Sequence, residues 1–179
     1  DYISIDLDKL CKDNKYREKS IDHINHSCKE GLDALINNAA VQILAPMESL
    51  SFEDWQSTIN INLNSAFILI QSLLEKLRLT KGSVVNIASI HSTLTKPNFS
   101  AYATSKSGLV GLTKSLAVEL GSHLRVNAIC PAAINTPMLH ASFVDNPQEL
   151  EELKKFHPNG NIGSISDIVN AALFMTDNR

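Results

Sequence analysis

The stretch SVVNIA, residues 83–88, decides the fold, because its β-branched run is typical of a strand buried on both faces. Two further short apolar runs cover residues 33–37 and 124–130, and residues 2–6 also read as a strand. Longer segments with apolar residues at helical spacing separate these runs. Strand and helix alternate without hairpin signals, which predicts an α/β fold with three layers, a parallel sheet with helices on both faces.

Apolar spacing predicts four helices, over residues 16–30, from residue 51 onward, over 101–120 and over 167–175. The second helix starts at a cap formed by Ser51 and Asp54, and one of its faces carries Trp55, Ile59, Leu63 and Phe67. Residues 138–163 are polar and rich in Pro and Gly, which predicts a mobile loop with room for one short helix. The whole chain, 1–179, is interpreted as a single domain.

Composition argues against a nucleic-acid-binding protein and a membrane protein. Hydrophobic residues make up 44% and charged residues 20% of 179 residues, and the net charge is −3, so neither a nucleic-acid partner nor a membrane partner is indicated. The most apolar stretch, residues 66–74, is far shorter than the roughly 20 residues of a spanning helix. The three cysteines form no CxxC pair, which favours a reducing compartment and predicts a cytoplasmic protein.

Tyr102 and Lys106 form the sharpest chemical signal, because residues four apart share one helix face. A nearby ammonium favours the phenolate, so we expect Lys106 to lower the pKa of Tyr102 and make it a general acid/base. Ser89 ends a buried strand, where its hydroxyl could donate to a carbonyl oxygen or simply cap a turn. Asn62 lies among apolar neighbours, either as a site residue or as a core amide bonded to backbone.

Five pieces of the sequence together resemble the short-chain dehydrogenase/reductase family, over the whole chain. They are Asn37-Asn38-Ala39-Ala40, Ile61-Asn62-Leu63, Asn86-Ile87-Ala88-Ser89, Tyr102 with Lys106, and the stretch from Arg125 to Pro131. The resemblance implies a Rossmann-like fold and an oxidoreductase that transfers a hydride between NAD or NADP and a small alcohol/carbonyl substrate. It also implies a homodimer or homotetramer, assembled through the helices that begin near Ser51 and Ala101.

The resemblance assigns roles to single residues. Tyr102 is implied as the acid/base, Lys106 as the residue that lowers its pKa and binds the nicotinamide ribose, Ser89 as the group that orients the substrate, and Asn62 as the holder of a relay water. The implied cofactor-binding residues are Asp6, Asn37, Ala39, Tyr102, Lys106, Pro131, Ile134 and Thr136. The loop over 138–163 is implied to shape the substrate pocket.

The sequence departs from the family where the pyrophosphate should bind, since no glycine precedes Gly31 and the family's glycine-rich loop is missing. We therefore expect an internal part of a dehydrogenase, truncated at both ends, with a gap in the sheet between residues 2–6 and 33–37. The alternative to an enzyme is a catalytically incompetent, truncated relative with a scaffold or oligomerisation role.

Gln42 and His91 are candidate substrate contacts, because one follows the Asn37-Asn38 turn and the other lies two residues past Ser89. Bacterial-type 3-hydroxybutyrate dehydrogenases are similar at both points, but carry a lysine where this chain has Phe99. A short hydroxy acid, a sugar, a polyol and an oxoacyl group all stay open as substrates. His23, His26 and Cys28 predict a solvated helix face rather than a metal site.

Overall fold

A three-stranded parallel sheet forms the centre of the computed structural model, which describes residues 2–143 and 147–177. The strands are β1 (Ala34–Asn37), β2 (Ser83–Ile87) and β3 (Arg125–Ile129), in the spatial order β1-β2-β3. Leu35 pairs with Val84, and Val84 pairs with Val126. The parallel sheet predicted from the sequence is confirmed.

The central strand β2 is buried on both faces. Val84 and Val85 point to opposite sides of the sheet, yet both are fully buried. On the Val84 side lies the main apolar core, which also contains Ile70, Leu73, Leu77, Leu120, Leu124 and Val126. Helices therefore cover both faces, as the β-branched run predicts.

Nine α-helices are present in the described residues. They are α1 (Leu7–Lys12), α2 (Asn14–Ser27), α3 (Phe52–Ile59), α4 (Ser65–Ser72), α5 (Leu74–Leu79), α6 (Ser100–Leu120), α7 (Pro137–Ala141), α8 (Pro147–Lys155) and α9 (Ile165–Thr176). A π-helical turn, Asn60–Asn64, joins α3 to α4, and a 3₁₀ turn, Ile90–Ser92, precedes α6. None of these helices is both long and apolar enough to cross a bilayer.

The predicted strand over residues 2–6 is wrong, because no strand of the described residues lies beside it and a strand exists only in a ladder. Instead, Asp6 caps α1: its Oδ1 accepts a hydrogen bond of 2.9 Å from the Lys9 N–H. The Asp6 N–H donates to the Tyr16 hydroxyl at 2.9 Å. Helix α1 was missed from the sequence, because it has only six residues.

The helix predicted over 16–30 and the one predicted from residue 51 are both present with changed bounds. Helix α2 ends at Ser27, and Gly31 follows in the left-handed region at φ 123°. The second helix begins at the predicted cap, where Ser51 Oγ accepts from the Asp54 N–H at 3.0 Å. The π turn after α3 then adds one residue, which rotates the face of α4 by about 100° and leaves Phe67 45% exposed rather than on the predicted apolar face.

The segment predicted as a loop, 138–163, contains more helix than expected. Helix α7 begins at Pro137 and α8 ends at Lys155, while residues 144–146 lie outside the described part of the chain. The end of the segment is anchored, because the Asn135 N–H donates to Gly163 O at 2.8 Å and the Gly163 N–H donates to Ala133 O at 2.9 Å. Its mobility stays a prediction.

Candidate functional site

The carboxyl ends of β2 and β3 meet at the edge of the sheet where polar residues concentrate. The Ala88 N–H donates to Ile129 O, and the Ile90 N–H donates to Pro131 O, both at 2.8 Å. These bonds extend the pairing of the two strands beyond their ends. They hold the segment around Ser89 in a fixed position against the segment around Pro131.

Lys106 is a buried cation at this edge, with only 2% of its surface exposed. Its Nζ donates to the Ile87 carbonyl oxygen at 2.7 Å, at the end of β2. Burial lowers the pKa of Lys106 to about 8, and the nearby Cys130 thiol partly opposes this effect. An ammonium has three protons, and no described residue other than Ile87 is a hydrogen-bond acceptor for them.

Tyr102 lies one turn before Lys106 on α6, and Lys106 Nζ is 5.7 Å from the centroid of its ring. Burial raises the pKa of Tyr102, while a hydrogen bond with the Ser89 hydroxyl lowers it and is the smaller effect. The net direction of this pKa is therefore upward, and the lowering by Lys106 stays a prediction. The physical reason is that a buried phenol loses more solvation on ionising than its neighbours return.

Ser89 follows β2 and is buried beside Tyr102. Its Oγ also accepts a hydrogen bond of 3.2 Å from the His91 N–H, so Ser89 caps the 3₁₀ turn. The interpretation of this serine as a turn cap is therefore confirmed, while its donation to a substrate carbonyl oxygen stays a prediction.

Asn62 lies in the π turn and makes three hydrogen bonds to protein groups. Its Oδ1 accepts from the Val41 N–H at 2.8 Å, and its Nδ2 donates to Val41 O at 2.9 Å and to Ser105 Oγ at 3.0 Å. Ser105 Oγ in turn donates to Tyr102 O at 2.7 Å. Asn62 is therefore tied through Ser105 to the backbone of Tyr102, a link that the sequence did not suggest.

A second buried amide chain crosses the sheet below the site. Asn37 Nδ2 donates to Asn86 Oδ1 at 2.8 Å, and Asn86 Nδ2 donates to Thr113 Oγ1 at 2.9 Å. Sequence reasoning used Asn86 as a strand residue and as part of a family motif, but gave it no hydrogen-bond partner. The available signal was an asparagine inside a β-branched run, where burial requires hydrogen-bond partners.

The other candidate cofactor residues are dispersed along the sheet edge. Asn37 and Ala39 line a cavity of about 100 Å³ together with Leu7 and Asn62. Asp6 caps α1, Ile134 forms a bridge with Gly163, and Thr136 caps α7. The structure thus joins Asn37, Ala39 and Asn62 around one cavity and leaves Ile134 and Thr136 in the segment after β3.

Of the two candidate substrate contacts, His91 lies against the site. Its ring centroid is 6.2 Å from that of Tyr102 and 4.4 Å from that of Phe99. Gln42 is half-buried in the loop after Val41. His23, His26 and Cys28 line a shallow surface depression, and in the described ranges no group of three potential ligands is placed to hold a metal ion.

A parallel α/β sheet with a buried Tyr-Lys pair and a serine at its carboxyl edge defines the class of Rossmann-like dehydrogenases and reductases. Consistent with this, a family model described as Enoyl-(Acyl carrier protein) reductase matches residues 11–179. The chain belongs to this family, a branch of the short-chain dehydrogenases/reductases.

Known relatives agree with this assignment. The chain is 37% identical over 153 residues to Carbonyl reductase [NADPH] 2 of Sus scrofa, covering 83% of this chain and 62% of that protein. It is 39% identical over 146 residues to D-threitol dehydrogenase of Mycolicibacterium smegmatis, covering 80% of this chain and 55% of that protein. The solved aldohexose dehydrogenase of Thermoplasma acidophilum superposes with a TM-score of 0.86 at 30% identity, covering 99% of this chain and 71% of that one.

Proposed function

We propose that this chain carries the acid/base site of an NAD(P)-dependent oxidoreductase acting on small alcohols and carbonyls. The observation that supports the proposal is the buried Lys106. Its Nζ donates to Ile87 O at the end of β2, and it lies on the same face of α6 as Tyr102. Tyr102 in turn lies beside Ser89. A buried cation costs stability, so its presence at the carboxyl edge of a parallel sheet indicates a functional site.

Tyr102 is the proposed proton donor and acceptor. The Ser89 hydroxyl lowers the pKa of Tyr102, which indicates that the two hydroxyls lie close enough for a substrate oxygen to sit between them. A carbonyl oxygen placed there receives two hydrogen bonds, which stabilise the negative charge that develops on it during reduction. Burial keeps the phenol protonated at neutral pH, which suits it to donate the proton in the reductive direction.

The hydrogen-bond donors of Lys106 show whether this site fits a dinucleotide. Its two protons without described acceptors are buried, and hydroxyl groups of a ribose are acceptors of the right kind. We propose that Lys106 and Tyr102 hold the nicotinamide ribose, with Asn37, Ala39, Asp6, Pro131, Ile134 and Thr136 as further contacts. When bound, NAD or NADP supplies the hydride chemistry.

Asn62 is the proposed holder of a water in the proton path. Its amide nitrogen uses both protons on Val41 and Ser105, while its Oδ1 has one lone pair left after the bond from Val41. That lone pair can accept a hydrogen bond from one water. The bond from Ser105 to Tyr102 O connects the position of this water to the position of the tyrosine.

The chain spans 62% of the carbonyl reductase and 55% of the threitol dehydrogenase, so the activity and assembly of the whole protein are part of the proposal. We propose a cytoplasmic homodimer or homotetramer. The exposed Phe67 on α4 and Val118 on α6 lie on the two helices expected to contact a second copy. Gly111 on α6 has open space where a Cβ would be, which permits close helix approach.

The test is an NADH titration by fluorescence together with steady-state kinetics on the protein at its natural length. Tyr102→Phe should lower kcat/KM by about 10²-fold or more, the usual contribution of a general acid/base, and leave saturable NADH binding in place. Tyr2→Phe, at a tyrosine that is 91% exposed, is the matched control and should leave kcat/KM unchanged. Full activity of Tyr102→Phe would refute the proposed role, and absence of NADH binding by the natural-length protein would favour a scaffold role.

A further inference from the structure

Three aromatic rings form a cluster beside the proposed acid/base. The ring centroids of His91 and Phe99 are 4.4 Å apart, and those of Phe99 and Tyr102 are 6.0 Å apart. Phe99 is buried, whereas His91 is only half-buried. His91 therefore lies at the accessible side of this cluster, next to Tyr102.

The hydrogen bond made by His91 determines which of its nitrogens carries the proton. His91 Nδ1 lies 3.1 Å from the Leu94 carbonyl oxygen, and a carbonyl can only accept, so Nδ1 is protonated. Burial lowers the pKa of His91, the bond to Leu94 opposes this, and the nearby Lys96 ammonium adds to the lowering. The ring is therefore neutral at pH 7, and its Nε2 has a lone pair that no described residue occupies.

We infer that His91 is a specificity-determining residue whose Nε2 accepts a hydrogen bond from a substrate hydroxyl adjacent to the reacting carbon. The substrate class is then a vicinal diol or the corresponding hydroxy-ketone. The inference rests on the proposed function, because it places the reacting carbon at Tyr102 and Ser89.

The same geometry disfavours a carboxylate at that position. A carboxylate has no proton to donate, and its charge would face the lone pair of Nε2. Phe99 places an apolar ring beside His91 and supplies no positive charge for a carboxylate. Lys96 is the exposed cation near this cluster, with its Nζ 4.7 Å from the Phe99 ring centroid, and is the residue that a carboxylate would use instead.

The test compares three four-carbon substrates, butane-2,3-diol, butan-2-ol and 3-hydroxybutanoate, in the protein at its natural length. The wild-type protein should prefer the diol to butan-2-ol by about tenfold or more in kcat/KM, the range expected for one hydrogen bond in a desolvated site. His91→Asn keeps a donor toward Leu94 but has no acceptor at the Nε2 position, so it should lower kcat/KM for the diol by about tenfold or more and lower kcat/KM for butan-2-ol much less, which removes the preference. His91→Gln, which can place an oxygen near the Nε2 position, should restore part of it.

Two outcomes in the kinetics would overturn the inference. If His91→Asn lowers turnover of the diol and of butan-2-ol by the same factor, His91 acts only on the structure of the site. If 3-hydroxybutanoate is preferred and Lys96→Gln removes that preference, the position accepts a carboxylate. In both cases turnover of butan-2-ol by the wild-type protein keeps the proposed oxidoreductase function intact.

A second measurement tests the inference without turnover. ¹⁵N chemical shifts of the His91 ring, assigned by their loss in His91→Asn, should report a proton on Nδ1 and a bare Nε2 at pH 7. A proton on Nε2 would overturn the inference even in an active enzyme. If no alcohol is turned over and no NADH binds, the proposed function fails, and the inference that rests on it fails with it.

Discussion

Replacing Lys106 by methionine is expected to stabilise the protein at neutral pH, although it removes a residue proposed to bind the cofactor. Lys106 is almost completely buried, and Nζ has one acceptor, Ile87 O, at 2.7 Å. Burial lowers its pKa from 10.5 to about 8, so the folded state binds this proton less tightly than the unfolded state. The charge therefore destabilises the fold, and methionine fills a similar volume without it.

The size of the effect is set by the pKa change. Because the folded-state pKa is the lower one, the penalty is complete below about pH 8 and disappears as the pH rises toward 10.5. It amounts to about 3 kcal/mol at pH 7 and about 1 kcal/mol at pH 10. Loss of the bond to Ile87 O costs the variant about 1 kcal/mol at either pH. Lys106→Met should thus gain about 2 kcal/mol at pH 7 and nothing at pH 10.

The assay is urea unfolding of the ligand-free protein at its natural length, followed by far-UV circular dichroism at pH 7, 8, 9 and 10. Burial also raises the pKa of Tyr102 and of Cys11, and their contributions are lost at high pH. Both residues are present in wild type and variant, so the difference between the two proteins isolates Lys106. Lys114→Met, an exposed lysine on the same helix, should change the free energy of unfolding by less than about 0.5 kcal/mol.

The pH dependence decides whether the reasoning is right. A Lys106→Met variant that is less stable than wild type at pH 7 would show that the ammonium is satisfied by the protein alone. A stability difference that stays constant from pH 7 to 10 would show that desolvation of the charge is not its cause. Either result would remove the argument that this lysine is kept for a ligand.

Three further substitutions test the contacts around the site. Ser105→Ala breaks the link between the Asn62 amide and the backbone of Tyr102, so steady-state kinetics should show kcat lowered about tenfold and KM changed less than twofold. The control Ser115→Ala, at an exposed serine, should change neither kcat nor KM. Asn86→Ala removes the donor to the Thr113 hydroxyl, which keeps its own bond to Leu109 O, and removes the acceptor of the Asn37 amide, so it should lower the free energy of unfolding in urea by about 2–4 kcal/mol. Ser51→Ala removes the cap of α3 and should cost about 1 kcal/mol in the same assay, with kcat/KM unchanged.

The sheet could be predicted from the sequence because its strands are short apolar runs separated by helical periodicity. Residues 83–88 show this best, since burial on both faces allows only apolar or hydrogen-bonded side chains there. The strand at residues 2–6 has the same local pattern and fails, because a strand also needs a neighbour and that neighbour is not visible in local sequence. Helix α1 uses Asp6 as its cap instead.

The candidate site was predictable in part. The Tyr102 and Lys106 spacing and the strand end at Ser89 placed three side chains together correctly. The direction of the Tyr102 pKa was not predictable, because it depends on how deeply the phenol is buried. The π turn and the bond from Asn62 to Ser105 depend on contacts between residues 43 positions apart, which spacing along the chain does not reveal.

The buried polar residues at this edge of the sheet differ in how many of their hydrogen-bond donors are used. The amides of Asn37, Asn86 and Asn62 donate their protons to neighbouring protein groups, so these side chains fix one arrangement of backbone around the site. Lys106 is bonded only to Ile87 O among the described residues and keeps donors that are unused. The unsatisfied cation lowers the stability of the fold, but the hydrogen-bonded network around it suits ligand binding, because the unused donors are held in place before a ligand arrives. This asymmetry, rather than the presence of any single motif residue, is the strongest physical argument that the edge binds a ligand.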